Sequence, residues 1–265
     1  MNSIKRIDLH NHTILCNHAT GTTEEYIKKA IELKIDVFGF SEHAPMHFDE
    51  NYRLKLEDKK FYENDVLTLK EKYKNDIEIL LGYEVDYLKG DYILPEVINS
   101  KVDYLIGSVH FINDGWGFDN PEFIGEYKNK NIDTIWEDYF EAITNMAKSN
   151  MFNIVGHLDL IKVFKFLPTK DIKSIAHKAL KQIKESNMVV EINSAGYRKP
   201  IAEQYPSKEL LELCFELNIP ITFSSDAHSV DQVGLNYQKA TTLAREIGYT
   251  KCTYFNQREQ IETSF

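Results

Sequence analysis

The sequence predicts an α/β fold, and within that class a (β/α) barrel. Three observations carry the prediction. Apolar runs of strand length alternate with amphipathic helical stretches, histidines recur where those runs end, and no Gly-x-Gly-x-x-Gly turn follows the first run. Repeated strand–helix units with right-handed crossovers lead to a closed barrel or a doubly wound sheet. The dinucleotide-binding open sheet would carry the glycine fingerprint, so its absence favours the barrel. At 265 residues and 43% apolar composition the chain can fill one barrel core, and a single domain over 1–265 is expected.

In chain order the strand candidates are KRIDLH (5–10), DVFGFSEH (36–43), EILLGYEV (78–85), DYLIGSVHF (103–111), NIVGHLDL (153–160), MVVEINS (188–194) and PITFSSDAH (220–228). KCTYF (251–255) reads as an extra strand. Runs apolar on both faces are what parallel strands covered by helices require. Helix starts are marked too: Thr22 with Glu25 forms a capping-box pattern before YIKKAIELK, and Pro206-Ser207 precedes KELLELCFELN.

Composition narrows the partners. A net charge of −10 works against a nucleic-acid partner, because phosphate-backbone binding needs clustered Lys and Arg. Neither an apolar leader region nor a run of the ~20 apolar residues needed to span a bilayer is present, so no membrane partner is expected. Cys16, Cys214 and Cys252 form no CxxC pair and leave one over, which points to a reducing compartment and a cytoplasmic location.

Six of the nine histidines fall at or just beyond a strand end: His10, His12, His43, His110, His157 and His228. That edge is where barrel enzymes build their sites. Glu84 in GYEVD and Asp226 in SSDAH add carboxylates at equivalent places. His10 and His12, two apart on a strand, point to the same face and can reach one ion. Any one of these histidines could be a core side chain satisfied by a backbone contact, but repetition of the same placement at several strand ends points to a joint metal site. His18 lies in the loop after His12 and gains its weight from that company. Cys16 reads as a small loop residue near the site, His177 as helix surface and His47 as a solvated loop residue.

The ordered set DLHNHT, CNHATG, FSEHAPM, GYEVDY, GSVHF followed by FDNPEF, GHLDLIKVF, EINSAGYRKP and SSDAH covers nearly the whole chain. It resembles the polymerase and histidinol phosphatase (PHP) superfamily, and within it the histidinol-phosphatase branch. The resemblance implies a distorted (β/α)7 TIM-like barrel holding three divalent metal ions. It assigns His10, His12, Glu84 and Asp226 to the first ion, with Glu84 bridging to a second bound by His110 and His157. His18, His43 and His228 would hold the third. Zinc, manganese and iron all accept such donors, so the metal's identity is not readable here.

The implied reaction is hydrolysis of a small phosphomonoester, L-histidinol phosphate, by a metal-bridging hydroxide. Arg198, just past the sixth strand, is the best additional phosphate clamp, because guanidinium matches phosphate bidentately. Lys162 is the second choice. Asp226 or His228 would protonate the leaving alkoxide, and Glu191 would support the ligands from behind. Glu42, Asp119 and Trp116 are the candidates for binding the organic part of the substrate. The rival within the same fold is a phosphodiesterase or 3′-exonuclease. A non-catalytic binding module would lack ligands that are all present here, and an amidohydrolase is compatible with the site chemistry alone.

Overall fold

The structure, a computed structural model, describes residues 4–265. Along the chain run β1 (Ile7–Asp8), α1 (Thr23–Glu32), β2 (Val37–His43), α2 (Lys59–Lys72), β3 (Glu78–Asp86), α3 (Pro95–Ile98) and β4 (Tyr104–Ser108). A small hairpin of β5 (Phe111–Ile112) and β6 (Trp116–Gly117) follows, then α4 (Ile132–Lys148), β7 (Ile154–Val155), α5 (Ile172–Glu185) and β8 (Val189–Asn193). The chain ends with α6 (Lys208–Glu216), β9 (Ile221–Ser224), α7 (Tyr237–Ile247), β10 (Lys251–Asn256) and β11 (Glu259–Ser264). Seven strands form one parallel sheet in the order β1-β2-β3-β4-β7-β8-β9. Backbone bonds from Leu9 N to Phe223 O (3.1 Å) and from His12 N to Ala227 O (3.0 Å) bring its two edges together into a nearly closed barrel.

Six of the seven barrel strands lie inside the expected runs and are shorter than them, while β3 runs one residue past its expected end, to Asp86. β7 stops at Val155 because the chain turns at His157, whose φ is +20°. β4 stops at Ser108, and Phe111 joins a separate hairpin. The strand ends are therefore sites where side chains leave the ladder and enter the mouth.

The interior of the barrel is filled from β4. The Tyr104 hydroxyl donates to Leu9 O at 2.6 Å. A Cβ on Gly39 would stand 2.1 Å from that hydroxyl, and one on Gly82 would stand 2.7 Å from the ring, so both neighbouring strands yield space to one phenol. The expected capping box is present: Glu25 N donates to Thr22 Oγ1 (3.2 Å) and Thr22 N to Glu25 Oε2 (2.7 Å). Ser207 caps α6 through Leu210 N.

The extra strand at 251–255 is β10, and it pairs antiparallel with β11 instead of joining the barrel. This hairpin covers the ends where strands begin: Lys5 N bonds Ser264 O, Arg258 N bonds Asp103 O, and Phe265 packs edge-on against Phe223 at 4.7 Å. No helix among the described residues is long and apolar enough to cross a membrane.

Candidate metal centre

The opposite mouth collects the histidines. Register sets the first contacts, since His43 is paired with Glu84 across β2 and β3. From there His43 Nδ1 lies 2.9 Å from Glu84 Oε2 and His157 Nε2 2.9 Å from Glu84 Oε1. His110 Nε2 stands 3.7 Å and His10 Nε2 3.4 Å from the same carboxylate. Glu84 is thus the hub. On the far side Asp226 Oδ1 is 3.4 Å from His12 Nε2, and His228 Nδ1 is 3.5 Å from it. His12 stacks between His43 and His228, with ring centroids 4.2 Å from each, and the His18 ring is 4.8 Å from that of His228.

Single donor atoms from His10, His12 and Asp226 lie within 4.8 Å of one another, as do those of Glu84, His110 and His157, and those of His12, His43 and His228. Cys16 comes within the same reach of His18 and His228. Its thiol is buried, donates to Thr13 O at 3.1 Å and is pushed above its ordinary range by burial, so it stays a thiol.

Each key ring is aimed by a partner behind it. Glu191 Oε1 accepts from His10 Nδ1 at 2.7 Å, while Oε2 accepts from His157 N at 2.7 Å and Asn193 Nδ2 at 3.1 Å. Asp86 accepts from His110 Nδ1 and is itself held by Arg53 Nη2 at 2.8 Å. Fixing one ring nitrogen as donor leaves the other as a lone-pair ligand.

The electrostatics favour cations. Burial alone would raise Glu84 and Asp226, but the surrounding imidazoles hold both carboxyls well below the usual range. Burial lowers His43 to about 4 and His228 to about 2, so both rings are neutral. For His12 and His110 burial is outweighed by carboxylates, chiefly Asp226 and Asp86 respectively, which raise them to about 9 and about 10. The ionised Asp226 and the neutral His228 are in the forms suited to holding a cation.

These atoms enclose a cavity of about 600 Å³ lined by His18, His43, His110, His157, Asp226 and His228 among others. Arg198 also lines it. Its Nη2 donates to Ser225 O and Asp226 O, both at 2.9 Å, while Nη1 is buried without a partner. Lys162, Glu42 and Trp116 are not among the residues that line the cavity. Lys162 is buried, with Nζ 2.8 Å from Glu203, 3.0 Å from Asp159 and 2.7 Å from Gln204 O, and does not reach the cavity. Glu42 is engaged by Thr13 N, His43 N and His12, behind the ligands. Trp116 packs edge-on against Tyr127 at 4.8 Å, with Lys130 Nζ over its ring.

Sequence reasoning missed Asp86, although it sits two residues after Glu84 and so on the same strand face. It missed Asp8, which bonds Ser225 N, Ser225 Oγ and Gly234 N and ties β1 to the loop carrying Asp226 and His228. It also missed Tyr205, whose hydroxyl is buried in the cavity wall without a partner. His47 is exposed and His177 lies on a helix surface, as expected.

His10 Nε2, His12 Nε2 and His157 Nδ1 are buried and make no hydrogen bond. Buried imidazole nitrogens without partners, next to ionised carboxylates, fit divalent cations and fit little else. Imidazoles and carboxylates gathered at the C-terminal mouth of a parallel barrel define a divalent-metal site of the kind barrel enzymes build. The PHP domain family matches residues 8–195, and the chain belongs to that family.

A Deinococcus radiodurans protein named "Probable histidinol-phosphatase" is 34% identical over 257 residues, spanning 96% of this chain and 98% of its own. One of the same name from Schizosaccharomyces pombe is 32% identical over 92% of this chain and 87% of its own. A Lactococcus lactis histidinol phosphate phosphatase, crystallised with zinc, L-histidinol and phosphate, has a TM-score of 0.80 at 23% identity, covering 98% of this chain and 100% of that one. At that identity the likeness shows the barrel.

Proposed function

We propose that the chain is a metal-dependent phosphomonoesterase that hydrolyses L-histidinol phosphate to L-histidinol and inorganic phosphate. The chemistry is carried by one observation: Arg198, with its buried Nη1 unpartnered, lines the same cavity as a cluster of imidazoles and the ionised Glu84 and Asp226. The substrate is carried by the relatives, named histidinol-phosphatases over nearly the full chain. The zinc, L-histidinol and phosphate held by the Lactococcus protein support the same reading.

In this reading three divalent ions are held by His10, His12, Glu84 and Asp226, by Glu84, His110 and His157, and by His18, His43 and His228. Zinc fits the donors, and manganese or iron would also be accepted. When bound, such ions supply Lewis acidity and a lowered pKa for water at neutral pH. Arg198 takes phosphoryl oxygens through Nη1, because Nη2 already fixes the guanidinium to the backbone. Asp226 and His228 stand next to that clamp, since Arg198 grips the Asp226 carbonyl. Glu191 and Asp86 keep His10 and His110 in the ligating tautomer. The net charge of −10 fits a small metal-held phosphate better than a nucleic-acid backbone, and three unpaired cysteines fit a cytoplasmic enzyme.

Phosphate release from the metal-loaded protein tests the reading, with L-histidinol phosphate, other monoesters, a diester and single-stranded DNA as substrates. Preference for L-histidinol phosphate is expected. Preference for the diester or DNA would overturn it in favour of the phosphodiesterase.

A further inference from the structure

Two arginines line the cavity, and they are bonded differently. Arg198 keeps one nitrogen without a partner, whereas all three side-chain nitrogens of the buried Arg53 are engaged. Its Nε donates to Asp49 O at 3.1 Å, its Nη1 to Ala44 O at 3.3 Å and its Nη2 to Asp86 Oδ2 at 2.8 Å. A guanidinium occupied in three directions is a joint between parts of the protein, not a clamp for a ligand.

One of those parts is the strand that carries Glu84. Asp86 ends β3, and its other oxygen accepts from His110 Nδ1. The bond from Arg53 fixes the plane of that carboxylate, and so the oxygen that aims the His110 ring. The other part is the segment 44–54, which leaves β2 just after His43 and returns to it, since Leu54 N donates to His43 O at 3.1 Å. It has little regular structure, only the short helical turn Glu50–Tyr52 and a bridge from Met46 to Ile93. Two of the three Arg53 bonds go to carbonyls within this segment, which is therefore closed from inside by one side chain. The segment in turn packs on the loop of His18: the Tyr52 ring lies edge-on to His18 at 6.0 Å, and Asn51 O accepts from Asn17 Nδ2 at 3.0 Å.

We propose that Arg53 is a positioning residue for the metal centre. Through Asp86 it sets the aim of His110, and through Ala44 O and Asp49 O it holds the 44–54 segment against the cavity, so one guanidinium serves both the His110 and the His18 sides of the mouth. The proposal rests on the metal-binding part of the reading above and is independent of the substrate.

The test measures zinc affinity by competition with a chelator, and backbone hydrogen exchange of the 44–54 segment in the zinc-loaded protein. Arg53→Gln should weaken zinc binding about 10- to 100-fold, the range for a partner behind a ligand, and should speed exchange across the segment. Arg53→Lys keeps a cation for Asp86 but lacks the fork that reaches both carbonyls. Its zinc affinity should return most of the way to wild type while exchange stays fast. In the double variant Arg53→Gln/Asp86→Asn, zinc affinity should match that of Asp86→Asn alone, because a residue that acts through another adds nothing once the other is gone. Wild-type zinc affinity in Arg53→Gln, or losses that add in the double variant, overturns the proposal and leaves Arg53 a loop staple. If Arg53→Gln does not fold, Arg53→Lys decides by itself: fast exchange with retained affinity supports the joint, and wild-type exchange or loss of both together overturns it. A wild-type protein that binds no zinc overturns the metal reading as well.

Discussion

Glu191→Gln is the sharpest test of how the site is held. Glu191 is buried, and all three of its partners are donors: His10 Nδ1, His157 N and Asn193 Nδ2. Glutamine has the same shape but only one acceptor oxygen. If its NH2 group replaces Oε1, it donates to His10 Nδ1, and the His10 proton must move to Nε2. A protonated Nε2 has no lone pair for a metal. If the NH2 replaces Oε2, two buried donors lose their acceptor, at about 1–3 kcal/mol each.

Either orientation damages the site, and the first damages metal binding itself. Changes behind a ligand lower metal affinity about 10- to 100-fold, which is about 1.4–2.7 kcal/mol of the stability that bound metal contributes. The assay is thermal or denaturant unfolding with excess metal and again with a chelator, together with metal content by mass spectrometry. The metal-dependent increment should shrink by that amount. An unchanged increment with a lower metal-free stability would refute the orienting role and leave Glu191 a packing residue.

Arg198→Ala should raise KM for the phosphate ester or lower kcat by about 10-fold or more, and Arg198→Lys should restore little, since lysine lacks the planar fork; wild-type kinetics would remove Arg198 from the site. Lys162→Met should cost about 3–5 kcal/mol of folding free energy by stranding the buried Asp159. A raised KM at unchanged stability would return Lys162 to the substrate site. His12 and His110 sit near 9 and 10 without metal, so at pH 7 both carry protons that must leave before they can ligate. Metal loading at pH 7 should therefore release protons, and metal affinity should fall as pH drops. Titration calorimetry in two buffers of different ionisation enthalpy checks this; identical heats would contradict it.

The barrel was legible because apolar strand runs and helix caps are local signals, and the metal site because strand ends recur in one dimension. His10, His43, Glu84, His110, His157 and Asp226 fall near or just beyond strand ends, so reading the ends picked them out. The pairing of Lys162 was not legible because it depends on Glu203, 41 residues further on, and no spacing rule reaches that far. Asp86 was passed over although the two-residue period puts it beside Glu84, because a partner behind a ligand leaves no mark of its own. β11 escaped notice because only Thr263 of its residues is buried, so it shows no apolar run. Its turn also carries left-handed Gln257 and Arg258 instead of the Asn-Gly or Asp-Gly that marks such hairpins.

Backbone strain and orphaned atoms at the mouth belong to one design. Asp226 has φ +52° and His157 has φ +20°, conformations that cost about 1–3 kcal/mol each and persist only where neighbours enforce them. Glu191 enforces the second by accepting from His157 N, and Arg198 enforces the first by gripping the carbonyls of Ser225 and Asp226. The same guanidinium keeps its Nη1 without a protein partner in a residue that lines the cavity. Phosphate binding and ligand placement are thus joined in one side chain, and the loss expected from Arg198→Ala divides between them. If the clamp alone is lost, metal content stays at the wild-type level and KM carries the change. If the Asp226 turn also relaxes, the ion shared by His10, His12 and Asp226 is lost first, and Arg198→Lys then recovers metal content before it recovers KM.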